Sequence, residues 1–312
     1  MSIIKIEKKI KKFNKNLIIS GDKSLSIRWA LLASQSPYKS TSYNLLTSED
    51  VINTLNCLKK LGVKIELTKK FCKIYGVGLN GFKYKKKLSL NAGNSGTLGR
   101  LIMGLLVHCK SNIKLKGDKS LSRRDFLRVT KPLEGFGVKF KTNSGKLPIS
   151  IKGTDYPSPI RYNETRGSAQ CKSAVMLAAL NTEGETIIKA KKSRDHSELL
   201  FKHLKLPIKI YKKKNYDLIK IKGKKKIPSI NYKIPADISS SAFFIVLTAL
   251  SENSKLKINN ININPSRIGV LNILKMMNVK INIINKRVYK GEHIADLVIH
   301  SSKKFKSINC PI

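Results

Sequence analysis

Acidic residues are scarce in this chain. Asp and Glu number 19 against 62 Lys and Arg, which leaves a formal net charge of +43 over 312 residues. An imbalance of that size raises a nucleic-acid reading, because Lys and Arg bind phosphates by displacing counterions. Such an interface gathers its charge in one stripe with aromatic residues between. Here the lysines run from Lys5 to Lys306 and travel with Ile and Asn. That is a compositional bias of the whole chain, and no specific nucleic-acid partner is expected. The field would still draw small anions in.

Cysteine is also sparse. Cys57, Cys72, Cys109, Cys171 and Cys310 form an odd set with no CxxC pair and no His at ligand spacing. This excludes a disulfide framework and a zinc site, and predicts reduced thiols in a cytoplasmic protein without metal. Long apolar runs are missing too: the longest, around Phe243 to Leu250, has the size of a core helix. The basic start MSIIKIEKKIKKF lacks the apolar stretch and cleavage site of a secretory signal. No membrane contact is expected. What is present is 41% hydrophobic residue content, enough to build a core, in a length that predicts two domains.

One phrase returns four times: LKKLGVKI (58 to 65), LEGFGVKF (133 to 140), HLKLPIKI (203 to 210) and LKMMNVKI (274 to 281). The starts lie 75, 70 and 71 residues apart, a period that marks a duplicated unit. In each copy a helical pattern ends at Gly, Pro or Asn and an alternating strand begins. Upstream of each lies a second apolar helix: RWALLA, GTLGRLIMGLL, AQCKSAVMLAAL and SSAFFIVLTAL. A unit reads as strand, helix, strand, helix, strand, strand, which places the chain in the α/β (α+β) class. Three units fit residues 20–234, the expected first domain. A fourth begins near Pro235, after the Lys- and Pro-rich KGKKKIPSINYKIP. Residues 1–19, with a strand at Ile3 to Ile6, and 235–312 are expected to form a partial second domain.

Small polar clusters precede the apolar helices: SGDKSLSIR, NAGNSGT, RGSAQCKS and ADISSS. Such residues at a helix N-terminus expose backbone N–H groups at the positive end of the dipole, so several gathered together would cradle a polyanion. Lys23 and Arg28 add charge to the first. Taken singly, these features are equally those of ordinary caps and solvated surface charges.

The motifs together carry a resemblance. SGDKSLSIRWALLA, GNSGTLGRLIMGLL, GDKSLSRRDFLRVTKPLEGFGV, SAQCKSAVMLAAL, SRDHSE, PADISSSAFF, NPSRIGVLNILKMM and GEHIADLVIHSS follow one another in register from about Ser20 to Ser302. In that order they resemble the EPSP synthase (3-phosphoshikimate 1-carboxyvinyltransferase) family of enolpyruvyl transferases. The resemblance implies a two-domain enolpyruvyl transferase fold of repeated βαβαββ units, here with the second domain incomplete. It also implies transfer of the enolpyruvyl group of phosphoenolpyruvate to the 5-hydroxyl of shikimate 3-phosphate, through a tetrahedral adduct and with release of phosphate. That is a step towards chorismate and the aromatic amino acids, and it needs no metal or cofactor. A complete family member is expected to work as a monomer.

Carried over residue by residue, the resemblance assigns Lys23 to both substrates and Ser24 and Arg28 to shikimate 3-phosphate. Gly96, beside Asn94 and Thr97, would receive the phosphate of phosphoenolpyruvate, gripped by Arg124. Ser168 and Ala169 would hold the shikimate phosphate, Gln170 would reach both ligands, and Arg194 belongs to the same pocket. His196 is read as structural and Asp237 as a helix cap. Two departures stand out. Asp125 occupies the place where the family has Pro, and could pair with Arg124. The family's proton-transfer residues follow Ile312, so no catalytic residue is assigned and the chain by itself is expected not to turn over, with apolar helix faces exposed. Three alternatives compete. A non-catalytic remnant would only bind shikimate 3-phosphate. A UDP-N-acetylglucosamine enolpyruvyl transferase would need a reactive Cys in a Gly-rich loop, which is absent. A basic nucleic-acid-binding protein rests on charge alone.

Overall fold

The structure is a computed structural model and describes residue 5 and residues 10–309. The strand expected at Ile3 to Ile6 lies outside the described residues, Lys5 excepted. Along the chain, β1 (Asn14–Leu17) leads to α1 (Lys23–Ser34), β2 (Lys39–Tyr43), α2 (Glu49–Lys60), β3 (Lys64–Leu67) and β4 (Phe71–Tyr75). Next come β5 (Leu88–Asn91), α3 (Gly96–Leu105), β6 (Ile113–Lys116), the short α4 (Lys119–Ser122), α5 (Leu127–Glu134), β7 (Lys139–Asn143) and β8 (Lys146–Lys152). They are followed by β9 (Arg161–Glu164), α6 (Ala169–Leu180), β10 (Glu185–Lys191), α7 (His196–His203), β11 (Ile208–Lys212) and β12 (Tyr216–Lys222). The last stretch holds β13 (Tyr232–Lys233), α8 (Ile238–Leu250), β14 (Lys255–Asn262), α9 (Gly269–Met276), β15 (Ile281–Tyr289) and β16 (Glu292–His300).

The alternation of helix and strand gives the mixed α/β class read from the sequence. The strands form four-stranded sheets in the orders β13-β2-β4-β3, β5-β6-β8-β7, β9-β10-β12-β11 and β1-β14-β16-β15. In each sheet the first pair is parallel and the later strands are antiparallel. Two sheets take their first strand from a distant part of the chain. Tyr232 of β13 sits opposite Ser42 of β2, and Asn14 of β1 sits opposite Lys255 of β14.

The repeated phrase marks one structural event, a helix closed by a left-handed residue. Gly62 (φ 88), Gly137 (φ 93), Lys205 (φ 51) and Asn278 (φ 68) end α2, α5, α7 and α9. In three copies the following residue donates back five positions: Val63 N to Leu58 O, Leu206 N to Phe201 O and Val279 N to Leu274 O, at 2.9–3.1 Å. In the third copy the phrase points to Pro207, but the chain turns two residues earlier, at Lys205. Pro cannot adopt positive φ, so the neighbouring Lys does.

The helices are of two kinds. α1, α3 and α6 are apolar nearly all round and bury almost every residue, as central helices do. α2 buries one stripe, Val51, Thr54, Leu55, Cys57 and Leu58, and keeps its lysines outside. α8 is as apolar as the central helices, yet it buries only Ile238, Ser241, Ile245, Thr248 and Ala249. Phe243 is 80% exposed and Leu250 65%. Asp237 caps this helix, accepting from Ser239 N at 2.7 Å, which is the role read from the sequence.

The chain divides into two compact units, Gly21–Ile234 and Met1–Ser20 with Pro235–Ile312. In the first, Trp29 is fully buried and its indole N–H donates to Ile230 O at 2.9 Å. In the second, Ile245, Ile258, Ile261, Leu271, Leu297 and Ile299 make the core. Among the described residues no helix is long and apolar enough to cross a membrane.

Candidate functional site

Every residue proposed for ligand binding from the sequence lies in the unit Gly21–Ile234, most of them at the starts of its three central helices. Each start is capped by a side chain. Asp22 Oδ1 accepts from Leu25 N at 2.9 Å, Ser95 Oγ from Leu98 N at 3.2 Å, and Ser168 Oγ from Cys171 N at 3.3 Å. The helices run side by side in one direction. Near their starts, Arg28 Nη2 donates to Ser173 Oγ at 3.2 Å, and Gln170 Nε2 donates to Thr97 Oγ1 at 3.0 Å. At their far ends, Asn181 Nδ2 donates to Gln35 Oε1 at 3.3 Å and His108 meets the carbonyl of Asn181. Three positive dipole ends therefore share one end of the unit.

Arg28 is 5% exposed and held on three sides. Its Nε donates to Ser197 Oγ at 2.9 Å, Nη1 to Ser24 O at 3.2 Å and Nη2 to Ser173 Oγ, while the two hydroxyls sit 2.7 Å apart. Behind them, Lys172 and Glu198 form an ion pair with side chains only 1% and 4% exposed. Lys23, half exposed at the first turn of α1, reaches Asp50 at 3.0 Å.

At the start of α3, Gly96 leaves room that a side chain would take. A Cβ there would lie 2.8 Å from Arg100 Nη1 and 3.2 Å from Arg124 Nη1. Arg124 itself is exposed. Asn94 Nδ2 donates to Asp118 Oδ2 at 2.6 Å, tying this loop to the cap of α4. Arg100 donates from Nη1 to Gly96 O at 3.2 Å and to Gln170 Oε1 at 2.6 Å, and its guanidinium lies 5.2 Å from the centre of the Phe126 ring. Burial, and then the neighbouring Arg128, push Arg100 down to about 10.

The structure thus brings Arg28, Gly96, Thr97 and Gln170 together with Ser168 and Ala169, both half buried at the start of α6. Arg194 is exposed in the segment before α7, and His196 is buried at that helix's first position. Asp125 accepts from Leu127 N at 2.8 Å and stands 3.8 Å from Arg166, so its contacts turn it to its own loop and to β9's exit. Sequence reasoning missed Arg100, Ser173 and Ser197. A usable signal was present: within the apolar stretches of α1, α3 and α6, one basic residue interrupts each, Arg28, Arg100 and Lys172. Among the described residues no three His, Cys, Asp or Glu side chains gather as a metal site would need.

Parallel central helices whose starts collect N–H groups and arginines, in a frame of repeated βαβαββ units, are an arrangement whose chemistry suits small phosphorylated anions. The EPSP synthase (3-phosphoshikimate 1-carboxyvinyltransferase) family model matches residues 7–311. A 3-phosphoshikimate 1-carboxyvinyltransferase of Ruthia magnifica subsp. Calyptogena magnifica is 40% identical over 296 residues, covering 95% of this chain and 67% of that protein. Its counterpart in Caldicellulosiruptor bescii is 39% identical over 296 residues, 94% and 67% of the two chains. The 2.37 Å structure of EPSP synthase from Acinetobacter baumannii superposes with a TM-score of 0.86 at 35% identity, covering 96% of this chain and 67% of the other. The chain belongs to the EPSP synthase family, and it spans about two thirds of the length of these relatives.

Proposed function

We propose that the chain binds shikimate 3-phosphate and phosphoenolpyruvate at the shared starts of α1, α3 and α6, in the service of the family's enolpyruvyl transfer. In that reaction the 5-hydroxyl of shikimate 3-phosphate gives up its proton and its oxygen bonds to C2 of phosphoenolpyruvate as C3 takes a proton. The tetrahedral adduct then loses phosphate, and a proton from C3, to give the enol ether. The chemistry asks the protein to hold two phosphates close together and to stabilise the one that leaves.

In this reading Lys23, Ser24, Arg28, Ser168, Ala169, Gln170 and Arg194 serve shikimate 3-phosphate. Asn94, Gly96, Thr97 and Arg124, with Lys23 and Gln170, serve phosphoenolpyruvate. Buried Arg28, held by two serine hydroxyls and a carbonyl, is the observation that carries it. These three hydrogen bonds fix the plane of the guanidinium, so its fork is pre-aimed. Gly96 adds a second reason, since its missing side chain lets a phosphate oxygen approach the helix start beside two guanidinium groups. Buried thiols with no disulfide among the described cysteines suit a cytoplasmic setting.

Calorimetric titration with shikimate 3-phosphate tests the reading. Saturable binding is expected, weakened at least tenfold by Arg28→Ala, the loss typical of a charge-assisted hydrogen bond. Unchanged affinity in Arg28→Ala would refute it.

A further inference from the structure

Gln170 is half buried at the start of α6 and has an amide that could point either way. Its surroundings decide. The oxygen faces Arg100 Nη1 at 2.6 Å and the nitrogen faces Thr97 Oγ1 at 3.0 Å. Turning the amide over would set NH₂ against a guanidinium that can only donate, so the arrangement is locked by the donor and acceptor inventory. One N–H of Gln170 goes to Thr97, and a second is left to give. The carbonyl oxygen, which would repel an anion, is occupied.

Arg100 is itself an unusual residue for this place. It is 3% exposed, it makes no ion pair among the described residues, and its Nε and Nη2 are buried without a hydrogen-bond partner. Phe126 lies against one face of the guanidinium and the Gly96 carbonyl takes part of Nη1. A buried cation left in that condition costs folding stability, and an apolar side chain would fill the space more cheaply. A carboxylate beside it would relieve the cost, but it would compete for the N–H that orients Gln170 and would cancel the positive charge behind the start of α3. The uncompensated guanidinium is what the binding end requires.

From this geometry we infer that Arg100 is a positioning residue for shikimate 3-phosphate: it fixes Gln170 so that only N–H faces that ligand, and it acts on shikimate 3-phosphate through Gln170. The inference rests on the proposed binding of shikimate 3-phosphate at this end. It adds a residue that acts through Gln170, and it states the polarity that Gln170 presents.

A double-mutant cycle in the full chain tests it, with shikimate 3-phosphate as the probe and Arg28→Ala as the control. Arg100→Met is expected to weaken binding about tenfold, and Gln170→Leu by a similar factor, as for loss of one hydrogen bond to a charged group. The double variant is expected to bind no more weakly than Gln170→Leu alone, because Arg100 has nothing left to orient. Losses that multiply to about a hundredfold, or full affinity in Arg100→Met, would overturn the inference. A purely structural Arg100 would weaken binding further in the Gln170→Leu background, which the cycle detects. If Arg100→Met fails to fold by circular dichroism, Arg100→Lys takes its place: the charge stays, the planar fork is lost, and the same non-additivity is required. Full affinity in Arg28→Ala would instead bring down the underlying site reading, so the two failures are separable.

Discussion

The ion pair between Lys172 on α6 and Glu198 on α7 invites a quantitative experiment. Both side chains are almost fully out of solvent, at 1% and 4% exposure. Glu198→Leu would leave the Lys172 ammonium buried without its partner, a change that costs about 3–5 kcal/mol in such settings. For a unit of this size that corresponds to a fall of roughly 6–20 °C in Tm. Lys172→Met in the same background removes the stranded charge, and the double variant should return to within about 1 kcal/mol of the unaltered chain or exceed it. Thermal and urea unfolding followed by circular dichroism measure both. A Glu198→Leu variant that melts within 2 °C of the unaltered chain would refute the claim that this pair is desolvated. A double variant no better than the single would show that the packing of α7, and not a stranded charge, set the loss.

Other expectations follow from single features. Burial pushes the Cys57, Cys72 and Cys109 thiols up to about 11, 12 and 11, so a thiol reagent at neutral pH should leave them unmodified until the chain unfolds; rapid labelling of the native protein at any of the three would contradict this. Asp118 is held below the ordinary carboxylate range, chiefly by the Leu121 N–H and also by Asn94. A depressed carboxyl stabilises the fold above its unfolded value and loses that contribution as pH falls through the folded one. The stability gap between the unaltered chain and Asp118→Ala should therefore narrow in acid, and a gap that stays constant with pH would count against it. At Gly62 (φ 88) an added Cβ would sit 2.5 Å from Lys83 O; Gly62→Ala should cost more than about 1 kcal/mol in urea unfolding, whereas Asn278→Gly at the same kind of exit should cost little.

Much of the architecture was legible because it rests on local rules. The helix exits at Gly62, Gly137 and Asn278 repeat one chemical device, and the apolar stretches before them have the period of helices. The third exit was misplaced by two residues because Pro207 looks like the stop, while the turn falls on Lys205, whose type gives no warning. β13 was hidden for a different reason. It is two residues long and takes its meaning from pairing with β2, nearly the whole unit away in sequence. The candidate site divides in the same way. Lys23, Arg28, Gly96 and Gln170 stand in motifs, but Ser173 and Ser197 matter only because packing brings α6 and α7 to Arg28. Arg100 was open to discovery, since a lone arginine inside GTLGRLIMGL has to be buried somewhere and needs acceptors when it is.

The position of β13 also sets a timetable. Ser229 donates to Lys39 O, Ile230 N to Ser40 Oγ and Ile234 N to Tyr43 O, and the indole of Trp29 finds its acceptor only at Ile230. During synthesis the first repeat to leave the ribosome therefore carries an open sheet edge and an unsatisfied tryptophan until the fourth and last strand of its sheet arrives. The second and third repeats, whose four strands are consecutive, can close before it. The oldest part of the unit is the last to finish, and the long loop it must close predicts slow final folding and a window in which chaperones or like edges on other copies compete for β2.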